Sequence, residues 1–228
     1  MINRHLLRNW VFWGFGIALL FFLVFPVLLP EYIVILITQS VIFAMAAISL
    51  DILLGYLGLA ALGHMGYFAV GAYVTGILAV RYQFGIASNI ALSMCVSALV
   101  AGGLGLLVLR ARGVYFVLIT LAFALCKWGL ATRWVSLTGG YNGVVGIPRP
   151  ELGLPWSMYD ILPFYYLVLF IFLICLIFVT LLIRSPFGKT LVGIRDSESR
   201  MRVLGYNVWL HQYLAYIIAG GIAGLAGC

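Results

Sequence analysis

Apolar residues run along this chain in blocks of about 20, and polar residues gather between the blocks. Seven blocks occupy residues 10–29, 32–53, 57–80, 86–109, 114–132, 161–183 and 209–227. A membrane-crossing helix needs about 20 mostly apolar residues, so each block predicts one span. The blocks are continuously apolar and do not alternate every second residue, and a barrel strand would need only about 10 residues. Helices are therefore expected. The predicted fold class is all-α: a polytopic transmembrane bundle of about seven spans, one domain over residues 1–228.

Composition puts this bundle in the lipid bilayer. Hydrophobic residues make up 65% of the chain and charged residues 8%, against about 45–50% and about 25% in a typical soluble domain. Orientation follows from the thirteen basic residues, because cytoplasmic loops and flanks are enriched in Lys and Arg. With the N-terminus inside, Arg4, Arg8, Arg110, Arg112, Arg184, Lys189, Arg195, Arg200 and Arg202 are cytoplasmic. Arg81, Lys127, Arg133 and Arg149 then lie at or near the outer side. The N-terminus is thus expected in the cytoplasm, and an odd number of spans leaves the C-terminus outside. The first block is longer than a signal-peptide core and no small-residue cleavage site comes after it, so it reads as a retained span. The net charge of +7 reflects the same inner-face bias. No basic tract carries interleaved aromatics, so nucleic acid is not an expected partner.

The polar residues offer little chemistry. Cys95, Cys126 and Cys175 stand singly inside apolar blocks and Cys228 is terminal, without CxxC or Cys/His ligand spacing, so they read as small hydrophobes and no metal site is expected. Gly188-Lys189-Thr190 has the ending of a nucleotide-binding P-loop, but the required glycine five residues earlier is Ile183. The six acidic residues form no carboxylate pair and no Ser/His/Asp grouping at workable spacing. No catalytic residue or cofactor is expected, and the chain does not read as an enzyme.

Between the last two blocks, residues 184–207 carry both signs of charge. Pro186 stops the preceding span, and Phe187, Leu191 and Ile194 recur at i, i+4 and i+7, giving one apolar stripe. Asp196 is the expected N-cap of a second short helix, with Gly205 closing it. Asp196 with Arg200 and Glu198 with Arg202 are i,i+4 acid-to-base pairs. Such a hairpin presents a shaped, charged cytoplasmic surface, or is a solvated loop that obeys the positive-inside rule. Both readings stay open from the residues alone.

Glycines crowd the stretch from Gly55 to Gly76, at positions 55, 58, 63, 66, 71 and 76, with His64 among them and Asp51 nearby. They permit close packing, or mark a broken helix whose freed backbone groups line a polar cavity. Intramembrane ionisable groups usually face a cavity or a partner, so Asp51, Gly55, Gly58, Gly63, His64 and Gly66 are the candidate substrate pathway. Lys127 lies toward the outer end of its block and can snorkel, so no role is expected for it. In the long outer loop, Thr138, Gly139, Gly140, Asn142 and Gly143 supply tight turns, and Pro148 and Pro150 stiffen the chain beyond them. That loop receives a soluble partner or caps the bundle. Gly220 and Gly224 form a GxxxG pair, expected to pack within the chain.

Five of these segments in register resemble the LivM-type permeases of branched-chain amino acid ABC importers. They are Gly58-Leu59-Ala60-Ala61-Leu62-Gly63-His64, Gly71-Ala72-Tyr73, the run RARGVYFVLITLAF at 110–123, Leu137-Thr138-Gly139-Gly140-Tyr141-Asn142-Gly143, and Ser185-Pro186-Phe187-Gly188 through Ile194-Arg195 to Leu204-Gly205. The resemblance runs from about residue 45 onward. It implies a second, LivH-type permease subunit, two cytoplasmic ATPases and a periplasmic substrate-binding protein as partners. It also implies that residues 184–207 dock on an ATPase, with Ser185, Pro186, Phe187, Gly188, Ile194, Arg195, Asp196, Glu198, Leu204 and Gly205 as the coupling residues. Two departures stand out. Many relatives carry a glutamate where this chain has Leu125 or Cys126, so that acid's role does not carry over. Relatives also continue past the segment ending at Cys228, so the chain reads as truncated at its C-terminus. The expected function is a permease subunit of an importer for branched-chain or related small amino acids in the bacterial inner membrane. A urea or short-amide ABC permease is the nearest alternative, and a secondary transporter coupled to protons through Asp51 and His64 is the other.

Overall fold

A computed structural model describes residues 22–23, 25–147 and 160–228. Among these the chain is helical, without a strand. Helix α1 (Glu31–Asp51) runs on into a π-helical turn (Ile52–Tyr56), and α2 (Met65–Ile77) into another (Leu78–Tyr82). Next come α3 (Ile86–Val108), α4 (Val114–Arg133), α5 (Ile161–Arg184), α6 (Pro186–Asp196), α7 (Glu198–Val203) and α8 (Val208–Gly227).

Five helices are long and apolar enough to cross a membrane: Glu31–Tyr56, Ile86–Val108, Val114–Arg133, Ile161–Arg184 and Val208–Gly227. They match five of the seven expected blocks. The first block, 10–29, lies outside the described residues except at its end, as do Pro148 and Pro150. The third block is not one continuous helix. Residues 57–64 are not helical, and α2 begins only at Met65. Gly58 takes φ +78°, a left-handed conformation that reverses the chain. Leu59 N–H then donates to Leu53 C=O at 2.8 Å, closing a wide turn at the end of α1. The helix is thus broken here, while Gly58 and Gly63 in the break also pack closely on their neighbours.

Helix α8 is the centre of the bundle. Ten of its residues are buried, against two in the equally long α4, and it packs on α3, α2 and α1. Small residues make this possible. A Cβ on Gly220 would stand 2.3 Å from the Ala101 methyl, and one on Gly224 would stand 2.2 Å from Ser97 Cβ. The GxxxG pair is therefore a seam within the chain, as expected. Tyr67 of α2 donates a hydrogen bond to the Tyr216 hydroxyl of α8 at 3.0 Å, and both rings are buried. Helix α5 packs against α1, while α4 lies at the margin and touches the start of α2 and the turn at Gly140–Asn142.

The helices alternate between two ends of the bundle. One end carries α6 and α7, the turn after α1 and the α3–α4 connection. The other carries residues 134–147, tied down by Arg81, whose guanidinium donates to the Ser136 carbonyl.

Candidate functional site

At the hairpin end the chain leaves α5 through Ser185, whose hydroxyl accepts from Gly188 N–H at 3.4 Å, with Pro186 in the first helical position where its missing N–H costs nothing. Gly188 is forced: a Cβ there would stand 2.2 Å from the Ile183 carbonyl oxygen. Leu191 and Ile194 are buried in the main core with Ile52 and Leu53, and Phe187 packs against it. The predicted apolar stripe is thus the face that holds α6 to the bundle.

Two expectations about the hairpin are corrected. Asp196 is the last residue of α6 and does not cap α7; Ser197, in extended conformation, caps it by accepting from Arg200 N–H at 3.4 Å. Asp196 also pairs with its neighbour Arg195 at 3.5 Å and not with Arg200, because the break between the helices takes it off the α7 face. The Glu198–Arg202 pair forms at 2.7 Å, and Glu198 also meets Arg112 at 3.5 Å. Gly205, at φ +86°, ends α7 with Gly205 N–H donating to Arg202 C=O at 3.0 Å. Beyond these contacts Val203 and Leu204 stand 89% and 70% exposed.

The hairpin touches the helix break directly. Arg195 Nη1 donates to the Gly55 carbonyl at 2.5 Å. That carbonyl lies in the last turn before the chain leaves helical geometry, where backbone acceptors lack helical partners and a cation is favourable. A side chain on Gly58 would meet Arg195 Cγ at 2.8 Å. Gly55 and Gly58 are therefore bound to the hairpin.

Deeper in, Ser49 of α1 meets His64 Nε2 at 2.8 Å, and His64 is 1% exposed. The Ser49 hydroxyl donates its single proton to Ala46 C=O at 2.6 Å. His64 Nε2–H is then the donor to Ser49, which leaves Nδ1 as a lone-pair acceptor; it is buried and has no hydrogen-bond partner. Asp51 is exposed and is joined to His64 by neither a hydrogen bond nor an ion pair. The structure does not assemble these two into one ionisable pair.

Lys127 departs from its expected snorkelling. Its Nζ lies 3.6 Å from the centroid of the Tyr67 ring, and its side chain fills the space a Cβ on Gly66 would need. In a helix the Cα–Cβ bond tilts toward the N-terminus, away from the nearer end of α4. A cation–π contact contributes about 0.5–2 kcal/mol, less than the roughly 2.5–3.5 kcal/mol cost of a charged side chain at the centre of a spanning helix. Among the described residues no carboxylate offsets the difference, since the salt bridges all involve Glu198 or Asp196. Gly63 belongs to the same contact: a Cβ there would stand 1.8 Å from the Thr120 carbonyl oxygen of α4.

At the opposite end Thr138 donates to the Ala131 carbonyl at 2.6 Å and accepts from Gly140 N–H at 3.3 Å. Gly139, Gly140 and Gly143 all take positive φ, so the loop is a compact knot with Tyr141 85% exposed beside Asn142. A cavity of about 790 Å³ lies near this end, lined by Phe68, Thr75, Asn89, Val168 and Leu225 among others. None of the candidate pathway residues lines it.

The model of the family described as the permease component of the branched-chain amino acid transport system matches residues 32–228. The chain belongs to this family. The high-affinity branched-chain amino acid transport system permease protein LivM of Salmonella typhimurium is 30% identical over 212 residues, covering 83% of this chain and 50% of the relative. Its Escherichia coli counterpart is 29% identical with the same coverage. The chain spans about half the length of these curated relatives. No solved structure gives a significant match. Three residues that the sequence did not mark as part of this region are Ser49, Tyr67 and Lys127. Lys127 carried the clearest signal, a charge inside an apolar block.

Proposed function

We propose that this chain is the membrane-spanning permease subunit of an ATP-driven importer for branched-chain or related small amino acids. It conducts and does not catalyse; ATP hydrolysis belongs to separate cytoplasmic subunits. The proposed topology has about seven spans and a cytoplasmic N-terminus, which puts α6 and α7 at the inner face of a bacterial plasma membrane. A second permease subunit would complete the pathway, and a periplasmic binding protein would deliver substrate to the end carrying Thr138, Gly139, Gly140, Asn142 and Gly143.

The observation that carries this reading is the Arg195 to Gly55 hydrogen bond. It joins the exposed hairpin to the one place where the α1–α2 backbone leaves helical geometry. An ATPase seated on Val203, Leu204 and the charged face of α7 would push α6, and α6 would carry the turn at Ile52–Tyr56 with it through Leu191, Ile194 and Arg195. Movement of the chain at 57–64 then switches access between the two ends.

Replacing Gly188 and Arg195 together, in a version extended to full family length, tests the assignment. Uptake should fall at least about tenfold while the ATPase still hydrolyses ATP, and Arg195→Gln alone, which leaves the tight α5–α6 corner intact, should give most of the effect. Uptake at the wild-type rate in both variants would sink the docking assignment.

A further inference from the structure

Among the described residues, the start of α2 brings together a cation without a counter-ion and a buried acceptor without a donor. Lys127 Nζ sits 3.6 Å from the Tyr67 ring centroid, in space that exists because residue 66 is glycine. The ring is 2% exposed and held by its hydroxyl bond to Tyr216 at 3.0 Å. His64 packs edge-on against the same ring, with centroids 5.8 Å apart. Its Nε2 is committed to Ser49, which leaves the Nδ1 lone pair buried and unmatched. Both groups therefore flank one fixed aromatic ring, one offering positive charge and the other a lone pair.

We infer that Lys127 receives the carboxylate of the transported solute and that His64 Nδ1 accepts from its ammonium group, so that the start of α2 recognises a zwitterionic amino acid. This rests on the permease reading. Lys127 is half-buried on α4, a helix with only Phe116 and Thr120 buried, and its ammonium is held by an aromatic face and not, among the described residues, by a carboxylate that a solute would have to displace. His64 is sealed, and the ammonium reaches it when the hairpin moves the break. A neutral solute such as urea would leave the Lys127 charge unmatched. Carboxylate and ammonium together match both groups.

The experiment measures uptake by the assembled, full-length transporter of radiolabelled L-leucine, other L-amino acids and urea, using wild type, Lys127→Gln and Lys127→Arg. Folded yield is read on the same membranes. Leucine uptake should fall at least tenfold in Lys127→Gln with folded yield maintained, and should be largely kept in Lys127→Arg. His64→Leu, measured alongside, should lower leucine uptake by more than it lowers folded yield, and unchanged uptake in it overturns the ammonium contact. Unchanged uptake in Lys127→Gln overturns the inference and leaves the permease reading standing, and equal loss of uptake and folded yield in both Lys127 variants overturns it as well, marking Lys127 as packing. A wild type that carries another amino acid removes the branched-chain assignment, while the Gln and Arg variants still judge Lys127 on that solute. A wild type that carries urea alone, or nothing, removes both.

Discussion

Gly63 has no room for a side chain, because the Thr120 carbonyl oxygen occupies the place a Cβ would take. Gly63→Ala should therefore lower the detergent-soluble folded yield, with overpacking costing about 1–3 kcal/mol, and uptake measured on the same samples should fall in proportion. A loss of uptake far exceeding the loss of fold would return Gly63 to the pathway. Ser49 and His64 form a different kind of site, a buried polar pair. Ser49→Ala strands the His64 Nε2–H and should destabilise by about 1–3 kcal/mol, whereas adding His64→Leu removes the stranded donor and should recover part of that loss. Thermal melts of both variants in detergent decide it; a double variant less stable than Ser49→Ala would show that the imidazole contributes packing that leucine cannot replace. The glycine cluster and His64 were visible in the sequence as a departure from a plain span. Which glycine packs against which neighbour was not, since Thr120 and Arg195 lie 57 and 137 positions away from Gly63 and Gly58 and only the fold brings them close.

The hairpin shows how local chemistry specifies an element while leaving its joint ambiguous. Pro186, the stripe of Phe187, Leu191 and Ile194, and the Glu198–Arg202 pair are all local signals, and each does in the structure what its spacing predicts. Asp196 and Ser197 are both good N-cap residues, and the sequence does not choose between neighbours. The backbone does: Ser197 takes the extended φ of −165° that a cap needs, while Asp196 is still inside α6. Loss of a cap typically costs about 0.5–2 kcal/mol. Ser197→Ala should therefore speed amide hydrogen exchange across residues 198–203 in the full protein, and Asp196→Ala should not. Acceleration in Asp196→Ala alone would place the cap at Asp196 after all. The pairs of Glu198 with Arg112 and Arg202 are partly exposed and contribute at most about 1 kcal/mol each, so they orient α7 more than they stabilise it.

For the molecule as a whole, length and apolarity made the spans legible, and five of the seven blocks are helices long and apolar enough to cross. The break at 57–64 escaped a count of blocks because apolar residues fill a non-helical stretch as well as a helix once it is buried in protein. The exposed face of α4, with Leu118, Leu121, Leu125 and Trp128, is equally silent in sequence: a surface covered by lipid and one covered by a second permease subunit have the same composition. Orientation is the remaining large-scale property, and it is a proposal that the placement of the basic residues makes testable. Arg110, Arg112, Arg184, Lys189, Arg195, Arg200 and Arg202 gather at the hairpin end, while Arg81 and Arg133 lie toward the other. This clustering is what the positive-inside rule asks of the proposed orientation, in which the hairpin is cytoplasmic. After removal of the four native cysteines, of which Cys95, Cys126 and Cys228 are exposed, single cysteines at Asn142 and Ser199 report the two ends. Both positions are exposed, and Ser199 spares the cap at Ser197. Asn142→Cys should react with a membrane-impermeant thiol reagent in cells whose outer membrane alone is permeabilised, and Ser199→Cys only after the inner membrane is opened. Labelling of Ser199→Cys before that step would invert the topology and move the hairpin away from any cytoplasmic ATPase, taking the coupling assignment with it.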